Sequence, residues 1–259
     1  MPFADLNGLR AHYEVIGDAT LPTLVFSHSL GVNLSMWEPQ LSELAPHFRI
    51  LRYDTRGHGQ SSIPTGPYHV ENLGRDVLHL LDALDIERAS FCGISMGGIT
   101  GQWLGVNAPD RLDKLILANT AAKIGVEDAW NARIQTVLQD GLDTAIPGTL
   151  ERWFTAGFRT AQPAIVAATR AMLHATTVQG YVACCAAVRD ADFRSSIQAV
   201  PVPTLVIAGT HDPVTTPDDA QFLAQNISGA KYVELPAAHL SNVESSLEFN
   251  AAVLNFLKT

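Results

Sequence analysis

The chain has 259 residues, 47% of them hydrophobic and 17% charged, with a formal net charge of −9 and a mean hydropathy of +0.10. That balance excludes a disordered or fibrous chain, and it argues against nucleic acid or an anionic membrane as the main partner, because both are bound through clustered Lys and Arg. No apolar run is long enough to cross a bilayer, the N-terminus carries no basic segment ahead of an apolar one, and Cys92, Cys184 and Cys185 have neither disulfide nor metal-site spacing, so a reduced, cytoplasmic location with no metal is expected.

In chain order, residues 9–15 read as an early antiparallel strand, and the continuous apolar run at 23–26 as a strand buried on both faces. A loop at 27–33 follows, where Leu30 is placed to offer a backbone N–H to a developing negative charge and His28 reads as a structural loop histidine. The pattern then predicts a helix at 36–48, a strand at 49–53 and a polar glycine-rich loop at 54–62. That loop lacks the lysine-bearing phosphate-binding spacing, so hydrogen bonds from Asp54 and Arg56 are expected to shape it. An amphipathic helix at 70–84 leads to a short apolar strand, a turn centred on Ser95 and a further helix. The turn spells Gly93-Ile94-Ser95-Met96-Gly97, in which the serine sits on a strained strand-to-helix corner with its hydroxyl raised above the sheet edge.

A buried strand at 114–118 comes next, and the alternation of strand and helix up to residue 120 predicts a parallel, doubly wound sheet. Residues 121–196 hold no convincing strand but four helical stretches, at 127–139, 150–158, 163–176 and 178–190. The sheet resumes at 204–208, which runs into Thr210-His211-Asp212-Pro213, followed by a helix at 217–225, a strand at 231–235 that ends before His239, and a last helix. The expected organisation is a core of residues 1–120 and 197–259, with residues 121–196 inserted as a helical cap over one sheet edge. All three cysteines are expected to be small buried residues.

Ser95, Asp212 and His239 each follow the C-terminal end of an apolar strand, and in a parallel sheet those ends share one edge. A serine hydroxyl is a weak nucleophile; an imidazole must take its proton, and a carboxylate on the other ring nitrogen must fix the tautomer. The three together predict nucleophilic acyl chemistry, with the backbone N–H groups of Leu30 and Met96 as the oxyanion donors and no cofactor required.

The whole chain resembles the α/β-hydrolases, in which the order serine, acid, histidine recurs. Several stretches further resemble the 3-oxoadipate enol-lactonases of bacterial aromatic catabolism: Ser29-Leu30-Gly31 with Met36-Trp37, the loop from Arg52 to Gly59, Gly93 to Gly98, Ala118-Asn119-Thr120-Ala121-Ala122-Lys123-Ile124-Gly125, and Trp130-Asn131-Ala132-Arg133. The resemblance implies hydrolysis of a small anionic lactone. Its carboxylate needs a local cation in a chain of net charge −9, and Arg133 is the candidate, with Trp153 lining the same pocket. The same three residues would also serve a carboxylesterase or a cofactor-free haloperoxidase or perhydrolase, and a binding protein of this fold would not need all three. Haloalkane dehalogenases place Asp where Ser95 stands.

Overall fold

The apolar runs become the interior strands of one sheet. The computed structural model describes residues 2–259, with strands β1 (Phe3–Leu6), β2 (Leu9–Ile16), β3 (Thr23–Ser27), β4 (Arg49–Tyr53), β5 (Ala89–Ile94), β6 (Leu112–Ala118), β7 (Thr204–Gly209) and β8 (Lys231–Leu235). Their spatial order is β1-β2-β4-β3-β5-β6-β7-β8, antiparallel at β1/β2 and β2/β4 and parallel from β4 onward. Every residue of β5 and β7 is buried, which is why their sequences, apart from Ser90 and Thr204, are apolar rather than alternating. The expected early strand is β2. The hairpin partner β1 had no counterpart in the sequence reading; four residues give too short an alternation to register as a period.

Alternation along the strands divides the core into two layers. Val25, Leu51, Phe91, Leu115, Leu117 and Val206 face one side, with Leu73, Val77, Leu80 and Leu81 of the helix at Val70–Ala83. Leu24, Phe26, Ile50, Cys92, Ile94, Ile116 and Ile207 face the other, against Leu44, Phe249, Val253 and Phe256. In chain order the helices are α1 (Glu38–Leu44), α2 (Val70–Ala83), α3 (Met96–Asn107), α4 (Glu127–Asp140), α5 (Ile146–Trp153), α6 (Ala156–Ala161), α7 (Pro163–Ala175), α8 (Val178–Asp190), α9 (Pro217–Asn226), α10 (Ser241–Glu244) and α11 (Ser246–Lys258). Helices α4 to α8 all lie between β6 and β7 in sequence. Among the described residues no single helix is long and apolar enough to cross a membrane.

Two helix boundaries differ from expectation for local reasons. The stretch expected at 36–48 is a 3₁₀ turn at Leu34–Trp37 followed by α1, which starts with Pro39 in its first turn and ends before Pro46, where a helix cannot readily continue. The stretch expected at 150–158 is two helices. Thr155 breaks it by acting as the N-cap of α6, its hydroxyl accepting from the Phe158 N–H.

The three cysteines are free and buried, as expected, and burial pushes all three thiols up. The glycine-rich loop is also held as its composition predicted. Asp54 accepts from the N–H groups of Leu34 and Gln60, each at 2.8 Å, and Arg56 donates twice to the Asp76 carboxylate of α2, each at 2.6 Å.

Candidate active site

The strand order reverses at β3, which lies between β4 and β5. The loops after β3 and β5 therefore diverge to opposite sides and leave a crevice at the sheet's C-terminal edge. Ser95 stands alone between β5 and α3, with φ 57° and ψ −114°, a conformation that costs a non-glycine residue about 1–3 kcal/mol. Neighbouring groups hold it there. Its N–H donates to the Ala118 carbonyl at 3.0 Å, and its own carbonyl accepts from the Ile99 N–H at 3.0 Å and the Thr120 hydroxyl at 2.9 Å. The corner is so tight that a Cβ on Gly93 would overlap the Gly97 carbonyl, and one on Gly97 would overlap the Ser27 carbonyl.

His239, on the turn after β8, brings Nε2 to 2.9 Å from Ser95 Oγ and Nδ1 to 2.8 Å from Asp212 Oδ2. A carboxylate can only accept, so Nδ1 carries the proton and Nε2 is free to accept from the serine hydroxyl. Asp212 is surrounded by donors: Val214 N–H at 2.8 Å and Thr215 N–H at 3.1 Å on one oxygen, and the Thr215 hydroxyl at 2.8 Å and Asn119 Nδ2 at 3.0 Å on the other, beside His239. Burial alone would raise this carboxyl, but His239, Asn119 and the Val214 N–H outweigh it and hold the group below the ordinary carboxylate range. All three side chains are buried, yet none lacks a partner.

The loop after β3 is braced by two buried imidazoles. His28 donates from Nδ1 to the Ser29 carbonyl at 2.7 Å and accepts the Thr55 N–H on Nε2 at 3.0 Å. His58 accepts the Gly31 N–H on Nε2 at 2.8 Å. Burial, and then the nearness of His28, pushes the His58 imidazole down to about 3, and burial also lowers His28. Both rings are thus neutral scaffolding. Between their anchor points the Leu30 N–H has no protein acceptor among the described residues, and the same holds for the Met96 N–H at the start of α3.

A narrow cleft of about 30 Å³ opens beside these groups, lined from the sheet side by Ser29, Leu30, Ser95 and His239 and from the helical segment by Trp130, Arg133 and Trp153 among others. Arg133 lies on α4, 5.5 Å from the ring centroids of both Trp130 and Tyr181, and donates to the Thr149 hydroxyl at 3.3 Å. It forms no ion pair with any described residue, and its buried Nε has no acceptor. Trp153 is buried at the end of α5, with its ring 6.3 Å from that of His239. A roomier cavity of about 220 Å³, lined by His12, Asp54 and Met172 among others, is not lined by Ser95, Asp212 or His239.

Of the candidate site residues, Leu30, Ser95, Arg133, Trp153 and His239 line the narrow cleft, Asp212 stands behind His239 in the hydrogen-bonded relay, and Met96 follows Ser95 at the start of α3. The sequence reading assigned no task to Asn119, which sits at φ 41° at the end of β6 and ties Asp212 to the Ala238 carbonyl. Thr215 escaped notice too. Asparagine's tolerance of positive φ at a strand end is the one local signal that marks the first; a hydroxyl three residues past an acid marks the second only weakly.

A family model described as the alpha/beta hydrolase fold matches residues 22–246. The chain is 48% identical over 247 residues to 3-oxoadipate enol-lactonase 2 of Acinetobacter baylyi, covering 95% of this chain and 92% of that one. It is 42% identical to enol-lactonase 1 of the same organism, covering 98% and 95%. The crystal structure of the enol-lactonase from Burkholderia xenovorans superposes over the full length of both chains with a TM-score of 0.98 at 45% identity. With this fold, these relatives and a serine relay at the crevice, the chain is an ester-hydrolysing enzyme and belongs to the α/β-hydrolase fold family.

Proposed function

We propose that the protein opens the ring ester of 3-oxoadipate enol-lactone, with Ser95 as nucleophile, His239 as general base and acid, Asp212 as the orienting carboxylate and residues 121–196 as a cap over the site. Ser95 Oγ attacks the acyl carbon while its proton passes to His239 Nε2, and the resulting imidazolium is stabilised by Asp212. The N–H groups of Leu30 and Met96 face the developing oxyanion. The acyl–oxygen bond then breaks, His239 protonates the departing enol oxygen, and the enol becomes a ketone, which makes ring opening hard to reverse. Water, deprotonated by His239, attacks the acyl-serine and releases the dicarboxylate with Ser95 restored.

One observation carries the choice of an anionic substrate: the cleft beside the relay holds a guanidinium, Arg133, that forms no ion pair with a carboxylate among the described residues. A planar donor fork of this kind matches a carboxylate. Trp153 adds an apolar wall to the same cleft. The names of the two Acinetobacter relatives support the same substrate. Purified protein is expected to consume the enol-lactone faster than any member of a panel of small neutral esters, and Ser95→Ala to be inactive on all of them. Preference for a neutral ester would overturn the substrate, and turnover by Ser95→Ala the mechanism.

A further inference from the structure

His239 lies on a turn whose two flanking peptide groups are each held from outside the turn. Before it, the Ala238 N–H donates to Glu244 Oε2 at 2.9 Å, and the Ala238 carbonyl accepts from Asn119 at 3.1 Å. After it, the Leu240 N–H donates to the Trp153 carbonyl at 3.1 Å. Glu244 does not stop at Ala238. Its carboxylate also accepts the Thr155 N–H, at 3.2 and 3.3 Å to its two oxygens, and the Thr155 hydroxyl. Trp153 and Thr155 close α5 and open α6, and the Trp153 side chain forms one wall of the cleft. The same short stretch therefore carries a cleft wall on its side chain and the His239 turn on its backbone.

Glu244 pairs with no Lys, Arg or His among the described residues. The donors to its carboxylate among the described residues belong to Ala238 and Thr155. Hydrogen bonds to an ionised acceptor are shorter and stronger than neutral ones, and here they all join one loop to one cleft wall. We propose that Glu244 is a positioning residue that fastens the wall at residues 153–155 to the turn carrying His239, so that the aim of the imidazole at Ser95 and the placement of the wall against the acyl group are set together. This inference rests on the serine mechanism proposed above.

The test uses Glu244→Gln, which keeps size and one carbonyl acceptor, Thr155→Val, which removes only the hydroxyl, and the double variant. Each is assayed on the enol-lactone and on a neutral aryl ester, well below its melting temperature. A misaimed base lowers kcat on both substrates on the order of 10-fold, with KM changed by less than about threefold, because positioning acts on the reacting geometry rather than on binding. The double variant is expected to be no slower than the slower single one, since both cut the same link. Thr155→Ser, which restores the hydroxyl, is expected to recover the rate lost in Thr155→Val. An unchanged kcat in Glu244→Gln, with or without a lowered melting temperature, would reduce the contact to a structural staple and overturn the proposal; multiplying losses in the double variant would overturn the coupling. Ser95→Ala assayed in parallel separates the two levels. If it is inactive while Glu244→Gln is as fast as the parent, only the coupling falls; if it still turns over, the serine mechanism falls with it.

Discussion

Ser95 pays for its position in backbone conformation. At φ 57° and ψ −114°, alanine carries the same strain as serine, whereas glycine does not. Ser95→Gly is therefore expected to be more stable than Ser95→Ala by roughly 1–2 kcal/mol in urea unfolding, with both inactive; equal stabilities would mean that the corner is not strained. A second residue-level consequence concerns His58, whose Nε2 must stay unprotonated to accept the Gly31 N–H. With its imidazole pushed from 6.5 down to about 3, the unfolded chain binds the extra proton throughout the interval between those values. Stability is then fully present above pH 6.5 and declines on acidification until about pH 3, by about 1.4 kcal/mol per unit for this group. Unfolding free energies are expected to fall from pH 7 to 4, and His58→Gln, which can still accept the Gly31 N–H, is expected to lessen that fall while the part due to the lowered His28 remains. The relay residues were legible because each is a reactive type at a strand end. Asn119 was not, because its contribution is a hydrogen bond to a residue 93 positions away.

Elements approach one another tightly where α3 leaves β5. A Cβ at Gly97 would run into the Ser27 backbone of β3, and a backbone atom cannot swing aside as a flexible side chain does. Gly97→Ala is expected to destabilise the fold by about 3 kcal/mol or more. Gly157, in α6, has nothing within 4 Å of the corresponding point, so Gly157→Ala should be neutral or stabilise by up to about 1 kcal/mol. Chemical denaturation of the two variants side by side checks the contrast, and similar losses would mean that helix propensity rather than close approach governs Gly97. Strands and long helices were legible from their periods. The break at Phe154-Thr155 was not, because apolar residues continue across it and only the Thr155 cap, seen with its partner at Phe158, separates α5 from α6.

Across the whole molecule the net charge of −9 would repel the proposed anionic substrate, so its recognition requires local positive charge in a cleft screened from bulk water. Arg133 is the cation at that cleft. Nearby Arg152 is pushed down, first by burial and then by the Arg133 charge, so the two guanidinium groups add to a common positive potential. Arg133→Ala is expected to raise KM for the enol-lactone about 10- to 100-fold, the worth of a charge-assisted hydrogen bond, while a neutral aryl ester changes by less than about threefold. Equal losses on both substrates would remove Arg133 from carboxylate recognition.

The fold class, the Gly93-Ile94-Ser95-Met96-Gly97 corner and the strand-end placement of Ser95, Asp212 and His239 are legible in the amino-acid sequence, because burial on both strand faces and tight backbone approach leave composition little freedom. Tertiary structure alone decided how those residues are held. Which groups complete the shell of Asp212 and what anchors the turn at His239 depend in part on distant contacts, such as Asn119 with Asp212, 93 positions apart, and Thr155 with Glu244, 89 positions apart. Local periodicity carries no record of such distances.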